Sequence, residues 1–131
     1  MEPAFLSLAE VLRIHDDQIE RYGGDTGIRD MQLLMSALGQ PSATFGGMCL
    51  HQTPHEMAAA YCFHLVKNHP FVDGNKRVGA VAAIAFLALN GCAFSAPPGR
   101  LTEMIMSLAR GKIDKADVTL FMREWTTEPK A

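Results

Sequence analysis

His69-Pro70-Phe71-Val72-Asp73-Gly74-Asn75-Lys76-Arg77 runs without a break into Val78-Gly79-Ala80-Val81-Ala82-Ala83-Ile84-Ala85-Phe86-Leu87-Ala88-Leu89-Asn90-Gly91, and this stretch decides the fold. Pro70 has no amide hydrogen and disfavours helical geometry at His69, so whatever helix precedes it must stop there. A second helix is expected to start near Asn75 and to end at Asn90-Gly91. Its apolar run falls short of the ~20 residues that a membrane-spanning helix needs. The run is therefore read as a core helix, hydrophobic all round and central to the domain.

Helix signals extend outward on both sides. Thr53-Pro54-His55-Glu56 joins an N-cap, a proline at the first helical position and a carboxylate at the third, predicting a helix to about Asn68. Ser7 with Glu10 is a capping-box pattern ahead of Leu8, Val11, Leu12, His15, Ile19 and Tyr22, ending at Gly23-Gly24. Asp30 is placed to cap a short helix over Met31, Leu34, Met35 and Leu38, closed by Gly39. Beyond the break at Pro97-Pro98-Gly99, Leu101, Ile105 and Leu108 suit a fifth helix ending at Gly111. Asp114 is read as capping a sixth with a Val118, Phe121, Met122, Trp125 stripe. Residues 40–52 read as an irregular surface segment, a candidate flap with Phe45 and Leu50 tucked inward. No segment shows the alternation that predicts a sheet. The expectation is one all-α domain over residues 1–131, of about six helices, with an active loop at the N-terminus of the central hydrophobic helix.

Composition agrees with one globular core. The 131 residues are 48% hydrophobic and 20% charged, with a formal net charge of −2. That balance gives no reason to expect nucleic acid or an anionic membrane as a partner. The three cysteines, Cys49, Cys62 and Cys92, cannot all pair and show no Cys-x-x-Cys spacing, so buried reduced thiols are expected. The N-terminal residues lack a basic and then apolar leader pattern, and the expected location is the cytoplasm.

The nine residues His69 to Arg77 concentrate a titratable base, a carboxylate, an amide and two cations just before a helix N-terminus. The first amides of a helix lack intrahelical partners and its dipole is positive at that end, which favours phosphate. Gly74 lets backbone approach a ligand closely. Lys76 and Arg77 sit where the dipole prefers acidic residues, a conflict that an anionic ligand relieves. Asp73 offers the hard oxygen that magnesium takes alongside substrate phosphates. His69 is the natural proton acceptor near neutral pH. Taken singly, His-Pro, Asp-Gly and Lys-Arg are more often structural; the signal is their order.

That order resembles the signature of the Fic/Doc family: His-Pro-Phe, a variable residue, Asp or Glu, Gly, Asn, then Gly or Lys, and Arg. The Arg21-Tyr22-Gly23-Gly24, Gly27-Ile28-Arg29-Asp30 and Phe86-Leu87…Asn90-Gly91 segments also look like the death-on-curing (Doc) branch, so the resemblance covers about residues 6–126. It implies that His69 deprotonates an acceptor hydroxyl, that Asp73 holds Mg2+, that Gly74, Asn75, Lys76 and Arg77 bind the phosphates of ATP, and that Phe71 anchors the loop. Lysine at 76 with alanine at 80 resembles the Doc branch, where an inverted nucleotide implies transfer of the terminal phosphate to a Ser or Thr hydroxyl of a protein. Elongation factor Tu is the target that the branch implies, and growth arrest the outcome. AMP transfer by the same loop, or a non-catalytic anion-binding module, are the alternatives. The chain has no Ser/Thr-x-x-x-Glu-Gly/Asn self-inhibitory pattern, so a small antitoxin supplying a helix in trans is the expected regulator.

Outside the loop, His15 and His64 fall on core-facing stripes and His51 and His55 on a loop. His55-Glu56 begins like a zinc-protease helix, but Ala59 stands where the second histidine would be. Arg21 and Arg29 have two readings, nucleotide contact or pairing with Glu20 and Asp30.

Overall fold

The computed structural model describes residues 2–127. Six helices are found there: α1 (Leu8–Tyr22), α2 (Met31–Gly39), α3 (Pro54–Asn68), α4 (Asn75–Leu89), α5 (Arg100–Ala109) and α6 (Lys115–Trp125). Their starts follow the caps read from the sequence. Ser7 and Glu10 close a full capping box on α1, Asp30 accepts from Leu33 N–H, Thr53 from Glu56 N–H and Asp114 from Asp117 N–H.

α3 and α4 are antiparallel neighbours joined by the 69–74 loop, and they form the centre. Gly79 permits this: a Cβ there would stand 2.7 Å from Val66 Cγ2 and 3.1 Å from the Cys62 carbonyl, so the two backbones meet at that point. Ala58, Ala59, Tyr61, Cys62, Leu65, Val78, Ala82, Ala83, Phe86 and Leu87 are fully buried around the crossing. α1 covers α4, while α2 and α6 cover α3, and α5 rests against both central helices. Tyr61, inside the core, keeps its hydroxyl satisfied by accepting from Leu6 N–H at 2.9 Å.

Residues 40–52 depart from the expected reading. Thr44–Phe45 and Met48–Cys49 pair antiparallel, and Gly46 (φ 60°) and Gly47 (φ 81°) form the turn. Positive φ at both central residues suits a tight hairpin. Strands of two residues are too short to show alternation, which hid them in the sequence. Phe45 is 80% exposed and Leu50 54%, so neither is tucked inward. Cys49 is exposed too, unlike Cys62 and Cys92. His51 and His55, expected to face a loop, are buried. The Thr53 cap puts His55 in the first turn of α3, turned toward the core.

His64 accepts a hydrogen bond at its Nε2 from the Lys115 ammonium, 3.2 Å away. Burial first, then the charges of Lys115 and His51, push its pKa down to about 4. Since the folded value lies below the ordinary one near 6.5, the unfolded chain binds the extra proton first. Stability should be full above about pH 6.5 and fall as pH drops toward 4. Urea midpoints across that range check this, and His64→Gln should flatten the dependence.

Candidate active site at the N-terminus of the fourth helix

α3 ends on His69, whose backbone is left-handed (φ 51°, ψ 54°), the one non-glycine residue with positive φ among those described. A proline at 70 makes a right-handed continuation costly, and the left-handed turn reverses the chain within one residue. Arg29 holds that turn. Its Nε donates to the His69 carbonyl at 2.6 Å and its Nη2 to the Asn68 carbonyl at 2.9 Å, satisfying the orphan carbonyls at the end of α3. The His69 side chain is exposed and makes no hydrogen bond among the described residues, so it is free to meet a ligand.

The rest of the loop is fixed from three sides. Phe71 is wholly buried and stacks on His15, with ring centroids 3.8 Å apart and 9° between planes. His15 Nε2 donates to the Asp73 carbonyl at 2.9 Å, which requires the proton on Nε2 because a carbonyl only accepts. From the other side, residues 24–30 run alongside the loop. Arg29 and Asp30 N–H donate to the Pro70 carbonyl, Val72 N–H donates to the Gly27 carbonyl, and Ile28 bridges Phe71. Asn75 closes the third side, with Nδ2 donating to the Phe71 carbonyl and Oδ1 accepting from Phe71 N–H, each at 2.9 Å.

Gly74 is the N-cap of α4, at φ 83°, and no side chain caps the helix. A Cβ at Gly74 would come 3.2 Å from Ile19 Cδ1, so glycine answers both the backbone angle and the close approach. The first turn of α4 carries no acidic residue. Its uncapped amides thus face an open cleft of about 430 Å³, lined by His69, Asp73, Gly74, Asn75, Lys76 and Arg77 with Val66, Val72 and Ala109. Every polar residue of the nine-residue motif lines this one cleft.

Two of these side chains also have structural partners. The Asn75 side chain is spent on Phe71 and is buried, which leaves its backbone amide for a ligand. Arg77 donates to the Gln18 and Gly23 carbonyls at 3.0 Å and lies over the Tyr22 ring, so it ties α4 to the end of α1 while lining the cleft. Lys76 is exposed and has no partner among the described residues. The Asp73 carboxylate accepts one bond, from Asp25 N–H at 2.7 Å. Arg21 pairs with Asp17, and neither it nor Arg29 lines the cleft. The bracing by Arg29, Asp25 and His15 had no signal in a nine-residue motif; the Gly23-Gly24 and Gly27 punctuation was the one hint that 23–30 adopts a special path.

A family model described as the Fic/DOC family matches residues 5–87. The chain belongs to the Fic/DOC family. Two curated relatives support the Doc branch. A Toxin Doc from Mycolicibacterium smegmatis is 40% identical over 75 residues, 57% of this chain and 58% of that one. Protein kinase doc from Escherichia phage P1 is 29% identical over 119 residues, 90% of this chain and 92% of that one. The six-helix architecture suits a Fic/Doc domain, as the sequence predicted.

Among the described residues no group of three or more His, Cys, Asp or Glu side chains can hold a metal ion on its own. A lone carboxylate at Asp73 nevertheless suits magnesium, which keeps waters and takes its other oxygens from phosphates. No described helix is long and apolar enough to cross a membrane.

Arg29→Ala should act on the site without touching ligand. Loss of both bonds to the end of α3 loosens the left-handed turn at His69, so amide hydrogen exchange across residues 69–74 should quicken about tenfold or more. Exchange rates of wild type and variant check this; Arg29→Lys should restore part of the protection.

Proposed function

We propose that this chain is a Doc-like toxin that transfers the γ-phosphate of ATP to a Ser or Thr hydroxyl of a protein. The observation that carries the reading is the single cleft in which a free imidazole, a carboxylate, a free ammonium and an uncapped helix N-terminus converge. The reading also draws support from the relatives, one named a toxin and one a protein kinase.

In this reading the uncapped amides after Gly74 and the Lys76 ammonium bind the phosphates. Arg77 adds charge from its docked position on α1. Asp73 would hold Mg2+, which when bound offsets the charge of the phosphate oxygens. His69 takes the proton from the acceptor hydroxyl as its oxygen bonds to the γ-phosphorus. The bond from that phosphorus to the β–γ bridging oxygen breaks, and ADP leaves with the electron pair. Growth arrest follows from modification of an essential target, for which elongation factor Tu is the first candidate. A small antitoxin in trans is the regulator that a toxin of this branch calls for, and the cytoplasm is where such a target and its ATP are found.

AMP transfer is the second reading, because the same cleft accepts an α-phosphate at the same base. The two are separated by incubating the purified chain and magnesium with bacterial lysate and ATP labelled at either the α- or the γ-phosphate. Label on protein from γ alone supports the kinase reading. Label from α establishes AMP transfer, and binding with no label from either leaves an anion-binding module.

A further inference from the structure

A groove larger than the cleft runs along α6, on surface that the transfer reading leaves unused. It measures about 590 Å³. Lys115, Thr119 and Arg123 line it from α6, and their spacing of four residues puts them on one face of that helix. Leu50 and His51, just past the hairpin, line it from the other side.

The groove is locally positive on a chain whose formal net charge is −2. Its one acidic lining residue, Glu56, has its carboxylate occupied at the start of α3, where it accepts from Gln52 N–H and the Thr53 hydroxyl. Lys115 is held in place, donating to His64 Nε2 at 3.2 Å and lying over the Phe63 ring, and an ammonium keeps further donors to offer. Arg123 is exposed, with no hydrogen bond or ion pair among the described residues. Between these two cations Leu50 is 54% and Leu120 62% exposed. His51 adds an independent sign that something is to be met here. It is buried on the groove wall beside the Gln40 carbonyl, and its Nδ1 has no partner among the described residues. A buried acceptor left unmet is costly and uncommon. The backbone N–H of a segment laid along this wall is a donor suited to it.

The dimensions select the shape of the occupant. Eight residues of α6 separate Lys115 from Arg123, a rise of about 12 Å. Spread over that length, 590 Å³ gives a channel about 8 Å across, narrower than the roughly 10–12 Å of a helix with its side chains. An extended chain fits, and four of its residues span about 13 Å with the first, third and fifth side chains on one face. We propose that the groove between α6 and residues 50–56 docks an extended acidic segment of a protein partner, with two carboxylates four residues apart at Lys115 and Arg123 and an apolar side chain between them against Leu50 and Leu120. The proposal needs no nucleotide and stands apart from the transfer reading. Lys115 meets His64, five residues before His69, so this end of the groove lies about 8 Å along α3 from the residue that ends it. A protein docked here is kept near the cleft.

The test uses labelled peptides and the full chain. The first peptide carries Glu-Thr-Leu-Thr-Glu between Gly-Ser flanks; the second has glutamine for both glutamates, and the third is Glu-Glu-Thr-Leu-Thr, with the charge kept and the spacing lost. Fluorescence anisotropy at low salt reads their affinities for wild type, Arg123→Glu and Leu120→Ala. Both substitutions are at exposed positions, and melting temperatures confirm that the variants are folded. Wild type should bind the first peptide about fivefold or more tightly than the second, the worth of two solvent-facing ion pairs, and more tightly than the third. Arg123→Glu should erase that preference, and Leu120→Ala should weaken the first and second peptides alike. Equal affinity for the first and second peptides overturns the proposal, as does an Arg123→Glu variant that binds the first as wild type does. Equal affinity for the first and third overturns the two-point docking, and no binding of any peptide overturns the groove as a docking site.

Discussion

His69→Ala is expected to abolish detectable label transfer, lowering the rate by about 10²–10⁴, the usual contribution of a general base. Among the described residues, the imidazole is the one side chain on the cleft that has a neutral nitrogen base to offer and no protein partner. Asp73 already accepts from Asp25 N–H, and Lys76 is a cation that cannot take a proton. No neighbouring group is placed to substitute. The left-handed backbone at 69 complicates the alanine variant, because alanine resists that conformation. His69→Asn provides the control: asparagine tolerates the turn but cannot act as a base. Both variants should retain nucleotide affinity, since the proposed reading places the phosphates at the amides after Gly74 and at Lys76. A variant with the wild-type rate would remove His69 from the chemistry.

The helices were legible because their boundaries are set by local chemistry. Ser7, Asp30, Thr53 and Asp114 each satisfy an orphan amide within four residues in sequence, so a reader of the sequence sees donor and acceptor together. The nine-residue motif was legible for the same reason, as its residues meet on a cleft formed by one loop and one helix turn. Distance in sequence hid the rest. Arg29 reaches the end of α3 from 40 residues away, and His15 reaches Asp73 from 58. A histidine at a core position of an amphipathic helix carries no mark of the loop it will hold. The hairpin at 44–49 was hidden by its brevity, and its Gly46-Gly47 turn read only as irregular. Asn75 is the opposite case. An amide inside a phosphate-binding motif invites a ligand role, yet its two polar atoms are both used on Phe71.

The loop emerges as a small structural unit with its own core. Phe71 is that core: Asn75 holds its backbone on both sides, His15 covers one face of its ring, and Ile28 bridges it from the 24–30 segment. The exposed side chains at 69 and 73 stand two residues to either side. Rigidity is thus supplied largely from beneath the loop, with Asp25 N–H holding the Asp73 carboxylate from the side.

Phe71→Ala therefore tests stability and site together. A fully buried aromatic ring reduced to a methyl group loses its transfer energy and leaves a cavity, a cost of about 3–5 kcal/mol. Against a typical total of about 5–15 kcal/mol, much of the fold's margin goes. The melting temperature should fall by on the order of 10 °C or more. Urea denaturation at neutral pH measures the loss, and Phe71→Leu, which keeps most of the volume, should lie between wild type and alanine. At temperatures where the alanine variant is still folded, it should bind phosphate more weakly than wild type, because the loop from 71 to 74 that leads into the α4 amides has lost its anchor. A loss below about 1 kcal/mol, the ordinary effect of a surface change or a mild core one, would mean that His15 and Asn75 hold the loop without the ring.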